Sequence, residues 1–150
     1  MEKKLPEEQR KNNEEKAMLV ISNAREVREL EKILNESFTL HLFVNDIPLD
    51  GEAVIGDLVE CSSPGYAEIP LSYESWSIAL ANGRAEATYP VETFTMPSLE
   101  ADLSVYGYYV TDVNGFAWGE RLTDPLTFSA GNNAEVNITA SRFHRTAVTA

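Results

Sequence analysis

The side chains best able to do chemistry are few and scattered along this chain. His41 and His144 lie far apart, and neither has a second ligand at the short spacing that metal sites use. His41 falls inside the run FTLHLFV (38–44), where a sheet histidine with satisfied ring nitrogens is the ordinary reading. Cys61 is the only cysteine, which excludes an intrachain disulfide framework and any multi-cysteine metal site, and fits a reducing cytosol. It reads as a small buried hydrophobe rather than a reactive thiol. The loop NDIPLDGE (45–52) offers Asp46, Asp50 and Glu52 as oxygen donors, but their spacing is not that of an EF-hand, and a polar connection with Asx turns accounts for it. Asp57 and Glu60 make a carboxylate pair of a kind that a chain with 24 acidic residues supplies by chance, so no glycosidase-type acid and base follow from it. No Gly-x-Ser-x-Gly, phosphate loop or dinucleotide fingerprint occurs. The expectation is a protein that is not an enzyme, with no metal, cofactor or small-molecule substrate.

The remaining chemical signal is aromatic. VYGYYVTDVNGFAWGERL (105–122) gathers three tyrosines, a phenylalanine and a tryptophan around Asn114-Gly115. Asn-Gly between apolar runs is a strong hairpin signal, because a type I′ turn needs positive φ at both central residues. Such a turn sets Val113 opposite Phe116, Val110 opposite Gly119 and Tyr108 opposite Arg121, with a cross-strand cation–π contact at the last pair. Tyr106, Tyr108, Val110, Ala117 and Arg121 then share one face, and Tyr109, Thr111, Val113, Phe116, Trp118 and Glu120 the other. Both faces are apolar enough to be covered, as in a central hairpin, and Gly107 and Gly119 allow close approach of a neighbour. A carbohydrate-stacking surface of Tyr106, Tyr108 and Trp118 is the functional alternative, and this register counts against it by placing Trp118 away from the two tyrosines.

Charge is unevenly distributed. The chain has 12 basic and 24 acidic residues, a net charge of −12. Residues 1–36 hold eight Lys/Arg and nine Glu; the rest holds fifteen acids (24 less nine) against Arg84, Arg121, Arg142 and Arg145, a net −11 with no lysine. Such a body repels phosphate backbones, so nucleic acid is not an expected partner. No run of 18 apolar residues occurs, and MEKKLPEEQRKNNEEK (1–16) lacks the apolar segment of a signal peptide, so neither membrane spanning nor conventional export is expected.

These residues must be positioned by a β-rich domain. Residues 1–17 read as a charged, extended arm without apolar periodicity. After MLVI (18–21), Ser22-Asn23 caps a helix over 24–35 that sets Val27, Leu30, Ile33 and Leu34 on one face, with an Asn23 amide three residues ahead of Glu26 in the manner of a capping box. Val20, Asn23, Val27, Leu30 and Leu34 also fit a short coiled-coil seam, so the helix packs either on a sheet or on a partner. From Phe38 the apolar period changes to two, and strands are expected at 38–44, 66–72, 75–81, 84–89, 91–96, 103–111, 116–122 and 134–143. The pattern is that of a sandwich or barrel, and a mostly β, antiparallel, jelly-roll-like β-sandwich over 18–143 is the fold expected, ahead of a tail at 144–150.

LHLFVNDI (40–47), DLVECSSPGYAEIPLS (57–72) and the aromatic stretch together resemble a family of small virion structural proteins encoded by tailed bacteriophages, including cyanophages. The resemblance rests on Phe43 to Asp46, Pro64-Gly65-Tyr66, Tyr106-Gly107-Tyr108 and Glu120-Arg121, and covers roughly residues 18–143; the charged arm departs from it. It implies a virion component assembled in the host cytoplasm, with a capsid decoration or cement protein as the first expectation, and a tail, baseplate or head-fibre component as the alternative. Its implied partners are the major capsid protein and itself, as a homotrimer. Lys3, Lys4, Arg10, Lys11, Lys16, Val20, Val27 and Leu30 are the expected contacts of the arm and helix, and Arg142, His144 and Arg145 those of the tail.

Overall fold

The computed structural model of the chain describes residues 22–49, 55–81 and 83–143. The arm residues Lys3, Lys4, Arg10, Lys11 and Lys16, together with Val20, His144 and Arg145, lie outside these. Among the described residues one α-helix, α1 (Asn23–Leu34), precedes nine strands: β1 (Phe38–Phe43), β2 (Ile69–Leu71), β3 (Ser77–Ala81), β4 (Arg84–Thr88), β5 (Glu92–Met96), β6 (Leu103–Asp112), β7 (Gly115–Phe128), β8 (Ala134–Ile138) and β9 (Ser141–Phe143). The fold is mostly β, with antiparallel sheets in a sandwich-like arrangement, as expected.

Strand order is β2-β1-β6-β7 in one sheet and β3-β4-β9 in another, with β5-β8 as a third pair. The pairs β4·β9, β5·β8 and β6·β7 are nested one inside the next, all centred on the Asn114-Gly115 turn. Residues 84–143 are therefore one long hairpin rolled over the core, the defining path of a jelly roll. The hairpin breaks at matching places. Tyr89-Pro90-Val91 separates β4 from β5, Thr139-Ala140 separates β8 from β9, and Tyr89 N donates to Ala140 O at 2.9 Å where both arms turn the corner together. The run 134–143 is thus two strands rather than one.

Helix α1 begins one residue earlier than expected because Ser22, not Asn23, is the cap: its Oγ accepts from Arg25 N at 3.2 Å. Leu30 and Leu34 are fully buried, Val27 packs at the margin, and the helix lies on β3 and β4, where the small buried residues Ala85 and Ala87 leave room for it. It is a surface helix on a sheet. Leu30 is accordingly a core residue, closed to any partner of the folded chain.

The hairpin register departs from the type I′ expectation. Among the described residues Asn114 is not at positive φ; Gly115 is, at 113°. Asp112 Oδ1 accepts from Asn114 N at 2.7 Å, an Asx turn that puts Val113 and Asn114 at the tip and pairs Asp112 with Gly115. A register shift between Val110 and Thr111 then leaves Ala117 as an extra residue, so Val110 faces Trp118 and Tyr108 faces Glu120. The Tyr108–Arg121 contact is not formed; Arg121 lies 5.5 Å from the Tyr106 ring centroid and pairs with Asp46 and Ile47 O. Strand β7 also runs past its expected end through Pro125, tolerated because β7 is the sheet's edge.

Candidate functional site

The register decides what the aromatic stretch can do. Trp118 joins Tyr108 and Val110 on the core-facing side, while the second shift, between Val105 and Gly107, sends Tyr106 to the opposite side with Tyr109. The expected partition is corrected on both counts. Tyr108 is buried; its Oη donates to Glu120 Oε2 at 2.7 Å and accepts from Ser141 N at 3.1 Å. Trp118 packs edge-on to Phe38 at 5.1 Å, and its Nε1 donates to Ser141 O at 3.1 Å. Arg142 lays its guanidinium over Trp118, 4.7 Å from the ring centroid, and burial lowers its pKa. Tyr106, Tyr108 and Trp118 therefore form no common surface. Tyr108 and Trp118 fasten β9 to the β6–β7 hairpin, and Arg142 belongs to that joint rather than to a free tail.

A second grouping was not legible as a site in the sequence. His41, on β1, is buried, with 6% exposure. Its Nδ1 lies 2.6 Å from Glu60 Oε2 and 3.2 Å from Glu68 Oε2, and its Nε2 lies 2.7 Å from Thr111 Oγ1. The ring stacks on Tyr109, its cross-strand partner, with centroids 4.6 Å apart and planes at 11°. One potential ligand atom each from His41, Glu60 and Glu68 falls within 4.8 Å of the others.

Local structure explains the convergence. Asn45 Oδ1 accepts from Val59 N at 2.9 Å and Asn45 Nδ2 donates to Asp57 O at 2.8 Å, which holds the returning chain against the end of β1 and bridges Glu60 to Phe43. A turn at 63–66, with Tyr66 N donating to Ser63 O, then reverses the chain so that Glu68 returns to the side of Glu60. Gly65 is at φ 86°, and a Cβ there would meet Pro97 Cδ at 2.8 Å, so glycine is required. Tyr66 fills the gap in the ladder: Leu42 N donates to its Oη at 3.0 Å, and the hydroxyl donates to Glu60 Oε2 at 2.8 Å. A Pro-Gly turn flanked by two glutamates was the one sequence signal that could have drawn Glu60 and Glu68 together.

The electrostatics follow from burial beside carboxylates. Tyr66 is held well above its ordinary pKa by burial, with Glu60 adding to it. Tyr109 is pushed up to about 12, first by burial and then by the charges of Glu60 and Glu68. On the other face Tyr108 is raised by burial and by its bond to Glu120.

Elsewhere a depression of about 300 Å³ runs between α1 and β3, lined by Val27, Leu34, Tyr73 and Trp76 among others. Val27 is there half-buried, not on a free helix face. Cys61 is buried, its Sγ 3.5 Å from Met96 Sδ. No helix among the described residues is long and apolar enough to cross a membrane. No family model, curated protein or solved structure matches this chain.

Proposed function

We propose that this chain is a non-catalytic building block of a tailed-phage virion, a decoration or cement protein seated on the head shell and held there by its terminal segments. The observation that supports this reading is the inward turn of the aromatic hairpin: Tyr108 and Trp118, the residues best suited to gripping a ligand, tie strands to one another instead. A rolled hairpin locked at its base in this way is a stiff, anionic body. All the lysines lie within residues 1–32, leaving the remainder of the chain to repel other anionic surfaces except where its ends make contact. The partners proposed are the major capsid protein and two further copies of the chain.

The test is the composition of purified particles. Quantitative mass spectrometry should find this chain at a copy number approaching that of the major capsid protein, and a chain lacking residues 1–16 should fold but fail to join the particle. A handful of copies per particle assigns it to the tail, baseplate or a head fibre instead. Its absence from particles overturns the reading.

A further inference from the structure

We propose that His41, Glu60 and Glu68 bind one divalent first-row transition-metal ion, with Zn²⁺ as the type case. Three side chains from separate parts of the fold, β1, the bridge at Glu60 and the residue before β2, bring one nitrogen and two carboxylate oxygens within 4.8 Å of one another. The imidazole is 6% exposed and aimed into the group, which distinguishes this arrangement from a solvated acidic patch. With a neutral ring the cluster carries two negative charges side by side, and a divalent cation cancels them where a single proton leaves one uncompensated.

The supporting residues orient the donors. When Nε2–H donates to Thr111 Oγ1, 2.7 Å away, Nδ1 turns its lone pair toward both carboxylates, an arrangement made favourable by a cation between them. Tyr66 donates to Glu60 Oε2, and the Tyr109 ring fixes the plane of the imidazole. Tetrahedral Zn²⁺ with bonds of about 2.0–2.1 Å sets its ligand atoms roughly 3.3 Å apart. The Nδ1–Glu68 contact is already 3.2 Å, and the Nδ1–Glu60 contact of 2.6 Å need open by only about 0.7 Å. The Glu60 and Glu68 side chains are 37% and 59% exposed, so an ion reaches the site from solvent and keeps a position for water. An imidazole with two carboxylates suits zinc or its neighbours rather than Ca²⁺ or Mg²⁺, which prefer oxygen alone.

The experiment is a titration of the full chain, stripped with EDTA, with Co²⁺ followed by Zn²⁺. The expected result is one Co²⁺ per chain, with the visible absorption of a four- or five-coordinate nitrogen–oxygen site, displaced by Zn²⁺ and accompanied by a shift of the His41 imidazole ¹⁵N signals. Glu68→Gln and Glu60→Gln should each weaken binding about tenfold or more, while Glu135→Gln, on strand β8 and outside the cluster, binds as the parent does. Glu68 is exposed enough for its amide variant to fold, and circular dichroism checks both variants. Should Glu60→Gln fail to fold, Glu68→Gln and the imidazole shift decide the matter. Absence of saturable binding, unaltered affinity in Glu68→Gln, or binding that leaves the His41 signals unmoved would mean that a shared proton alone occupies the cluster, and the proposal falls.

Discussion

On one face of β1 and β6, Leu40, Leu42, Tyr108 and Val110 are enclosed by the rolled hairpin and α1; on the other, His41, Tyr109 and Thr111 meet two glutamates at the edge of solvent. Alternation along a strand makes the faces neighbours, separated by a single peptide unit, yet they are held by different forces. The first is closed by apolar area and by a polar knot at its rim, Tyr108 with Glu120 and Ser141. The second is closed by the returning segment 55–68, whose polar atoms converge instead of dispersing. Stability belongs chiefly to the first face and ion chemistry to the second.

That division can be broken most forcefully on the apolar side. Leu42→Ala, at a fully buried position, should cost about 2–5 kcal/mol in denaturant unfolding, because a cavity opens where the sheet cannot collapse. Gly107→Ala comes next, at about 1–3 kcal/mol: a Cβ there would collide with Glu120 O and stand 2.6 Å from the Phe43 ring, so the strands on both sides of β6 must shift. Tyr108→Phe keeps the ring but orphans Ser141 N and leaves Glu120 with only the Ser141 Oγ bond, and a loss of about 1–2 kcal/mol is expected by the same measurement.

The polar face is sharpened by pH. Tyr109 has a folded pKa of about 12 against an ordinary 10, so the folded chain holds its proton longer than the unfolded one. This contribution is fully present below about pH 10 and is lost as pH rises from about 10 to about 12. Tyrosinate absorbance should show the late titration, and Glu60→Gln with Glu68→Gln should move it earlier, leaving the part due to burial. The smallest effect is that of Glu68→Gln alone on stability without metal, within about 0.5 kcal/mol; a larger loss would make Glu68 a support of the fold rather than a donor.

The difference between the faces also explains what could be read from the sequence. Local signals worked. The helix followed from the spacing of Leu30 and Leu34, the strands from alternation, and the hairpin from Asn114-Gly115. The register did not, because Asp112 caps the turn with its side chain and Ala117 bulges; each moves the pairing by one residue, and a one-residue slip exchanges the faces. An Asn-Gly turn without these two features puts Trp118 on the side opposite to the one it occupies. The His41 cluster was hidden for another reason. Its partners are 19 and 70 residues away at Glu60 and Thr111, and their meeting depends on Asn45 and Tyr66 guiding a segment with no periodicity of its own.

The rolled body rests on Trp118 facing inward, and hydrogen exchange of its indole N–H tests that placement most directly. With Nε1 bonded to Ser141 O beneath Arg142, the proton should exchange only as fast as the whole domain unfolds, and exchange should accelerate in step with global destabilisation by Leu42→Ala. An indole proton that exchanges at the rate of free tryptophan while the sheet amides stay protected would put Trp118 on the surface, and with it would return the binding face that the structure folds away.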